Sequence, residues 1–424
     1  MTEAADTRPT IQPDLDLARA LFAELEATRT GRGFTRATYG EGENFAHAAA
    51  ERVARRLGMI VETDAAMNLY MTLPGQDRTL PRLVTGSHMD SVPQGGNFDG
   101  AAGVIAGLAA VAGLRARAIV PRRDVTVMAI RAEEAVWFDF SYIGSHAAFG
   151  KLAPKALVVR RSDTGRTLAE HMAETGCDVE AIERGQAHLS RDGVAAFIEV
   201  HIEQGPVLEQ CGLPIGLVSG IRGCLRHAEV VCLGAYAHSG AAPRSVRRDA
   251  VAASVELVYR LGQKCLEMEA AGDDLVFTVG RFFTDPEVAG ASKVAGEARF
   301  SLDFRGLADA PMFAASQAAR DIASDIERRH KVTFHLGEPS YSTPATLDPT
   351  LRQRLAGLAG QSGMPFMELA SGAGHDAAVF SAMGVPSGMI FIRNANGSHN
   401  PDEAMEMADF AVAARLLANF MAVA

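Results

Sequence analysis

The stretch LVTGSHMDSVPQGGNFDGAAGVIAGLAAVAGL, from Leu83 to Leu114, decides the fold of this chain. A short apolar strand leads into a polar turn at His88, and Asp99 then opens a glycine-broken apolar helix. That helix is shorter than the about 20 residues that a bilayer span needs. We therefore expect it to be a buried helix of a soluble protein.

Three further segments repeat this order of apolar strand and polar residues. They are Val125–Ile130 before Glu133-Glu134, Phe197–Val200 before His201, and Met389–Ile392 before a loop that ends at His399. Near-continuous apolar strands that alternate with helices are typical of a mainly parallel sheet covered on both faces. The sequence therefore predicts an α/β catalytic domain with a mainly parallel sheet.

The pattern changes between residues 214 and 341. Here paired strands are separated by helices, which is typical of a small α+β domain with an open-faced antiparallel sheet. A strand followed by metal-type ligands reappears only after this segment. We therefore predict a discontinuous catalytic domain, 1–213 with 342–424, interrupted by an inserted domain, 214–341.

The composition is that of a globular protein with an acidic balance. Hydrophobic residues make up 48% and charged residues 22% of the chain, and the formal net charge is −10 at pH 7. This charge argues against nucleic acid as the main partner, because phosphate binders normally carry a basic surface. Five cysteines without CxxC spacing favour a reducing compartment, and the polar, acidic N-terminus is not a secretory signal. We expect a cytoplasmic protein with no membrane partner.

Histidine and carboxylate side chains recur directly after the predicted strands. In such sheets ligands bind beyond the carboxyl ends of the strands. The groups at this edge are His88, Glu133, Glu134, His201 and His399. One histidine after a strand is usually structural, but two adjacent buried glutamates repel each other unless a cation or proton lies between them. The set suits a first-row divalent metal, most often zinc.

The chemistry of a metal pair assigns roles to some of these residues. Two metals about 3.5–4 Å apart share a water and need a bridging carboxylate. A second carboxylate must take the proton of that water and pass it to the leaving nitrogen. Glu133 and Glu134 can supply one ligand and one base. Asp90, two residues after His88, is placed to hold the other ring nitrogen of that histidine.

Several motifs follow one another in the order and spacing of a known family. They are GSHMDSVPQGGNFDGAAGV, the Glu133-Glu134 pair, HIEQGPVLE, AHSGAAPRSVRRDA, SGAGHDA and GSHNPDE. From about Ala18 to Phe420 the chain resembles the M20-type metallohydrolases of the hydantoinase/carbamoylase branch. That branch includes N-carbamoyl-L-amino-acid hydrolases, β-ureidopropionase and allantoate amidohydrolase. The resemblance implies a hydrolase that cleaves the C–N bond of an N-carbamoyl (ureido) amino acid or a related linear amide.

The resemblance also implies a site with two divalent metal ions per subunit. The residues that match the family's metal ligands are His88, Asp99, His201, Glu134 and His399, with Asp99 shared between the two metals. Glu133 matches the general base. Zinc is the expected metal, although manganese, cobalt and nickel accept the same ligands.

The resemblance also implies which residues bind the substrate. Gln204 and the backbone of Gly372 match substrate contacts, and Arg305 matches the arginine whose guanidinium holds the substrate carboxylate. His238 matches a histidine that the family's inserted domain lends across a homodimer to stabilise the oxyanion. His375 is interpreted as a supporting residue behind the metal ligands.

The chain departs from the family pattern mainly along the substrate wall. Ser292 replaces an asparagine, so the acid end of the substrate meets a shorter side chain. Trp137 stands where the branch has an arginine, and His146 stands where it has a basic residue.

Other functions use the same framework. The runner-up is an N-acyl amino acid amidohydrolase with a larger acyl pocket. A non-catalytic binding protein would require a broken set of ligands or a missing base, and the sequence shows neither. A metal-dependent peptidase fits less well with a carboxylate anchor that favours small substrates.

Overall fold

The computed structural model describes residues 10–424. These residues divide into two compact units. The first comprises the described residues up to Ser219 together with Thr346–Ala424, and the second comprises Gly220–Ala345. The second unit is therefore an insertion in the sequence of the first.

A nine-stranded mixed sheet forms the centre of the first unit. Its strands in spatial order are Ala345–Thr346, Ile215–Ile221, Ser387–Ile392, Val194–Ile202, Arg82–His88, Val125–Ile130, Leu69–Leu73 and Ile60–Thr63, with Phe366–Ser371 also paired to Ile215–Ile221. The four strands from Ser387–Ile392 to Val125–Ile130 are parallel neighbours, and antiparallel strands flank them. The predicted mainly parallel arrangement is confirmed for these central strands, which are the four segments singled out in the sequence.

Helices cover both faces of this sheet. The helices of the first unit are Leu15–Leu25, Glu41–Arg56, Ala101–Ala116, Ile143–Ala148, Pro154–Leu157, Leu168–Thr175, Val179–Glu183, Val207–Cys211, Pro349–Gln361, Asp376–Ala382 and Met407–Val423. Ile198 and Val200 of one central strand lie in a common core with helix Ala101–Ala116. Phe197 points to the opposite face of the strand and stacks on Phe380 with ring centroids 3.8 Å apart.

Helix Ala101–Ala116 lies unusually close to the sheet. All of its residues from Ala101 to Leu114 are buried. A Cβ atom at Gly103 would collide with the carbonyl oxygen of Val200. The glycine-broken apolar sequence thus has a packing reason, because the helix backbone occupies space that a side chain would need.

The second unit is an antiparallel sheet with two long helices. Strands Val276–Thr278, Glu297–Gly306, Gly223–Leu233 and Thr333–His335 follow one another in space, Phe282–Phe283 pairs with the second and Ser340–Ser342 with the third. Helices Ala250–Ala270 and Asp309–His330 pack against this sheet around a core of their own. Strand Ile215–Ile221, which the sequence-based division placed at the start of the insertion, pairs with Ser387–Ile392 in the first sheet.

Two further observations concern the helices and the cysteines. Within residues 10–424, no helix is long and apolar enough to cross a membrane. All five cysteines are free thiols.

The close approach of helix and sheet can be tested at Gly103. We expect Gly103→Ala to lower the free energy of unfolding by about 1–3 kcal/mol, because the new methyl group overpacks the core. Gly357→Ala is the matched control, since a Cβ at this helical position meets nothing within 4 Å and should be neutral or mildly stabilising. Urea denaturation measures both values, and wild-type stability of Gly103→Ala would contradict the packing argument.

Candidate metal centre

The carboxyl ends of the four central strands bring the predicted ligands to one edge of the sheet. His88 is the last residue of its strand and His201 the second-last of the neighbouring strand. The pair Glu133 and Glu134 follows strand Val125–Ile130 after two intervening residues. His399 lies in the loop after strand Ser387–Ile392.

Two groups of potential ligands share the carboxylate of Asp99. The first consists of His88, Asp99 and His201, and the second of Asp99, Glu134 and His399. In each group the potential ligand atoms lie within 4.8 Å of one another. Two imidazoles and a carboxylate on one side, and two carboxylates and an imidazole on the other, are donor sets typical of zinc and similar divalent ions.

The first group is arranged around a common point. Asp99 Oδ1 lies 3.1 Å from His201 Nε2 and 3.7 Å from His88 Nε2, and the two ring nitrogens are 3.4 Å apart. Asp99 Oδ1 is nevertheless buried without a hydrogen-bond partner among the described residues. A buried carboxylate oxygen of this kind is costly unless a cation compensates it. The residues therefore fit a metal ion here.

Charge in the second group leads to the same conclusion. His399 Nε2 lies 3.3 Å from both Asp99 Oδ2 and Glu134 Oε1. Asp99 first, and then Glu134, raise the pKa of His399 to about 10. Burial alone would raise the pKa of Asp99, but its contacts with His201 and His399 hold it well below the usual range. The excess negative charge attracts a cation, and a divalent metal would satisfy the same groups as the proton on His399.

The second nitrogens of the two buried histidines are held by neighbouring oxygens. His88 Nδ1 lies 3.0 Å from the carbonyl oxygen of Asp90 and 3.4 Å from its Oδ1. His201 Nδ1 lies 2.8 Å from the carbonyl oxygen of Ile202. Both rings therefore direct Nε2 towards Asp99, an arrangement that orients a metal-binding histidine.

Asp90 also fixes the backbone of the glutamate pair. Its carboxylate accepts hydrogen bonds from the N–H groups of Glu133 at 3.1 Å and Glu134 at 3.2 Å. The hydroxyl of Thr38 donates a third bond to it at 2.6 Å. One buried carboxylate thus connects His88 to both glutamates.

The turn before the buried helix requires a glycine. Gly100 has φ 65°, in the left-handed region that favours glycine. A Cβ there would lie 2.5 Å from Nδ1 and Cε1 of His88. Gly100 therefore lets Asp99 approach the histidine without a clash.

Glu133 is a nearly buried carboxylate beside the ligand groups. Together with His88 and Glu134 it forms a further cluster of potential ligand atoms. Burial, and then the charge of Glu134, raise the pKa of Glu133 well above its usual range, although His88 opposes this. Ala132, just before it, has φ 59°, and such strained backbone is common at functional sites. A carboxyl group that can both accept and return a proton suits a general base.

Gln204 contacts the shared carboxylate directly. Its Nε2 donates to Asp99 Oδ2 at 3.1 Å, and its backbone N–H donates to Asn394 Oδ1 at 3.0 Å. The backbone of Gln204 is left-handed, with φ 62°. The side chain thus lies at the centre beside the potential ligands.

The loop after strand Phe366–Ser371 contains Gly372 and His375. His375 is buried, and its Nε2 lies 2.9 Å from Ser371 Oγ. Its ring packs edge-on against His201 with centroids 4.5 Å apart. His375 therefore packs behind a potential ligand.

The remaining predicted residues belong to the inserted unit. His238 is exposed, and its Nδ1 accepts the N–H groups of Gly240 and Ala241, both at 3.2 Å. The carbonyl oxygen of Ser292 accepts the N–H of Ser239 in the same segment at 2.9 Å. Arg305, near the end of its strand, donates from Nε to Asp303 at 3.0 Å.

Several residues of the centre had no role in the sequence analysis. Glu199 is buried between Ser87, which donates to it at 2.8 Å, and the N–H of Ala377 at 2.8 Å. A charged residue inside an apolar strand was a signal that could have revealed it. Arg36, which donates to backbone oxygens of Met89 and Asp99, follows no comparable pattern.

The position of Trp137, three residues after Glu134, is compatible with a pocket residue or with a packing residue. Only 6% of it is exposed. Its Nε1 donates to the carbonyl oxygen of Ser91 at 2.9 Å, and the guanidinium of Arg161 lies 4.7 Å from its ring centroid. Trp137 therefore packs within the first unit.

Known proteins are similar to this chain in both sequence and fold. The chain is 34% identical over 386 residues to an N-carbamoyl-L-amino acid amidohydrolase of Geobacillus stearothermophilus, covering 91% of this chain and 92% of that protein. It is 32% identical over 367 residues to an allantoate amidohydrolase of Escherichia coli K12, covering 85% of each. An amidase of the hydantoinase/carbamoylase family from Burkholderia multivorans superposes with a TM-score of 0.89 at 28% identity, covering 97% of this chain and 98% of that one. Residues 84–423 match peptidase family M20/M25/M40, and the chain belongs to this family.

Proposed function

We propose that this protein is a dimetal amidohydrolase that cleaves the C–N bond of an N-carbamoyl (ureido) amino acid or a related linear amide. The observation that carries the proposal is the position of Asp99, shared by two ligand groups with Glu133 beside them. Relatives named as N-carbamoyl-L-amino acid and allantoate amidohydrolases support the reaction class.

The residues of the centre divide into ligands and a base. His88 and His201 would hold one divalent ion, Glu134 and His399 the other, and Asp99 both. Bound there, the metal pair would supply Lewis-acid activation of the water and of the substrate carbonyl. We propose zinc for these sites, because imidazole and carboxylate donors are its usual ligands.

Glu133 performs the proton transfer in this proposal. Its carboxylate takes the proton of the attacking water and returns it to the leaving nitrogen, so that the C–N bond breaks without releasing an unstable anion. The position of Glu133 in one cluster with the potential ligands His88 and Glu134 supports this role. With a carbamoyl substrate the products are carbon dioxide, ammonia and a free amino acid.

Substrate binding is assigned to residues outside the ligand set. By resemblance to the family, Arg305 anchors the substrate carboxylate, with Ser292, Gln204 and the backbone of Gly372 as further contacts. The bond from Arg305 Nε to Asp303 supports this, because it constrains the orientation of the guanidinium.

We further propose a cytoplasmic homodimer whose active site is shared between subunits. His238 of the partner subunit would stabilise the oxyanion of the tetrahedral intermediate. The bonds that its Nδ1 accepts from its own loop direct Nε2 outwards, which supports such a role. Five free cysteines fit a reducing compartment.

Metal removal tests the reaction class. Chelator treatment should abolish hydrolysis of N-carbamoyl amino acids, and added zinc should restore it, as measured by amine release. His88→Ala should lower both metal content and turnover, because one protein ligand is lost. His335→Ala, an exposed position of the inserted unit, is the control and should change neither. Full activity in protein shown by elemental analysis to lack metal would exclude the mechanism.

The adjacent glutamates should respond differently to the same substitution. Glu133→Gln should keep both metals and lose about 10²–10⁴-fold in turnover, the usual range for a missing general base. Glu134→Gln should instead release metal from the group that contains His399. Glu180→Gln, exposed on helix Val179–Glu183, controls for the substitution itself. The opposite result, with metal lost from Glu133→Gln, would reverse the assignment.

Subunit mixing tests the shared site. Inactive Glu133→Gln protein is mixed with inactive His238→Ala protein under conditions that allow exchange of subunits. Each mixed dimer would contain one centre with both residues intact, so activity should return to about half of the wild-type value per heterodimer. Confirmed exchange without recovered activity would show that His238 does not act across subunits.

A further inference from the structure

The loop that carries His399 must be held by specific contacts. At its base, Asn394–Ala395 pairs with Ala404–Met405. His399 has φ 60°, and 50% of its side chain is exposed. Neither a favoured backbone conformation nor burial therefore fixes this imidazole relative to Asp99.

Glu403 joins this loop to the turn that carries Asp99. Its Oε1 accepts the N–H groups of Phe98 at 3.0 Å and Asp99 at 3.2 Å. Its Oε2 lies 2.5 Å from Ser398 Oγ, and the same hydroxyl lies 3.0 Å from Asp99 Oδ2. One oxygen thus binds the Asp99 turn and the other binds the residue before His399.

The surroundings of Glu403 are shaped for its carboxylate. Only 7% of the residue is exposed. A Cβ at Gly96 would collide with its carboxyl group, so the glycine leaves the space that the carboxylate occupies. The backbone N–H groups of Phe98 and Asp99 offset the burial of this carboxylate, and Ser398 Oγ lies between it and Asp99 Oδ2.

We propose that Glu403 and Ser398 are positioning residues that preassemble the Asp99–Glu134–His399 group for its metal. The inference rests on the proposed dimetal function. Glu403 fixes the backbone of Asp99. The hydroxyl of Ser398 binds Asp99 Oδ2, the oxygen that also lies close to His399. Neither residue is a metal ligand in this scheme.

Loss of the contacts made by Glu403 should weaken the binding of the two metals unequally. His88 and His201 are 2% and 1% exposed and lie at the ends of buried strands. Their positions do not depend on the loop of His399. The metal at Asp99, Glu134 and His399 should therefore weaken most, whereas the metal at His88 and His201, which keeps both histidines and loses only the positioning of the shared Asp99, should weaken less.

Titration of metal-free protein with zinc chloride, followed by calorimetry, tests this inference. We expect Glu403→Ala to bind one of two zinc ions about 10–100-fold more weakly, the usual effect of removing an outer hydrogen-bond partner. Glu403→Gln should retain near wild-type binding, because the amide oxygen can accept the backbone N–H groups and the amide nitrogen can donate to Ser398. Glu406→Ala, an exposed position in the same segment, is the control and should bind as wild type.

Three results would overturn the inference alone. The first is wild-type affinity for both zinc ions in folded Glu403→Ala protein. The second is equal weakening of the binding of both ions. The third is zinc binding by Glu403→Gln that is as weak as that of Glu403→Ala. If Glu403→Ala fails to fold, Ser398→Ala gives the same test with a smaller change, and its unchanged zinc binding would also overturn the inference. Wild-type protein that binds no zinc would instead overturn the proposed function, and the positioning role with it.

Discussion

The carboxylate of Asp99 has to meet side chains that come from distant parts of the chain, and the first unit is organised around this requirement. His88 and His201 reach it from adjacent parallel strands, and His399 reaches it from a loop near the C-terminus. Asp99 itself lies two residues before a helix that packs tightly on the same strands. Any shift of this helix would move the shared carboxylate. Gly100 and Gly103 allow the close packing around this helix and therefore matter for the site as well as for the core.

The burial of several carboxylates close together is the main energetic cost of this arrangement. Burial and the neighbouring Glu199 raise the pKa of Asp376 to about 8, and burial and Asp99 raise that of Glu403 to about 7. Each carboxylate is partly offset by N–H and hydroxyl donors, such as those that Asp90 and Glu199 accept. Asp376 Oδ2 and Asp99 Oδ1 have no hydrogen-bond partner within residues 10–424, and Asp99 Oδ1 is the one that lies among the potential ligands. A metal pair would compensate it, which connects the electrostatics of the centre to the proposed hydrolysis.

The sequence predicted which polar side chains lie together at one edge of the sheet, and the reason is physical. Apolar strands buried on both faces leave a clear pattern, and polar residues directly after them have few structural explanations. The structure brings His88, Glu134, His201 and His399 together around Asp99. Supporting residues were harder to find. Glu199 interrupts an apolar strand and carried a signal, whereas Arg36 and Glu403 act through long-range hydrogen bonds that leave no local pattern.

The amino-acid sequence by itself determined the four buried strands, the inserted α+β unit and the residue types at the strand ends, because hydrophobic period and composition are local properties. Only the tertiary structure decided which strands are neighbours, that Trp137 packs within the first unit, and that Ser398 and Glu403 connect two loops about 300 residues apart in sequence. Such contacts depend on backbone pairing and side-chain packing between distant segments. Their energies appear only once the chain has brought those segments together.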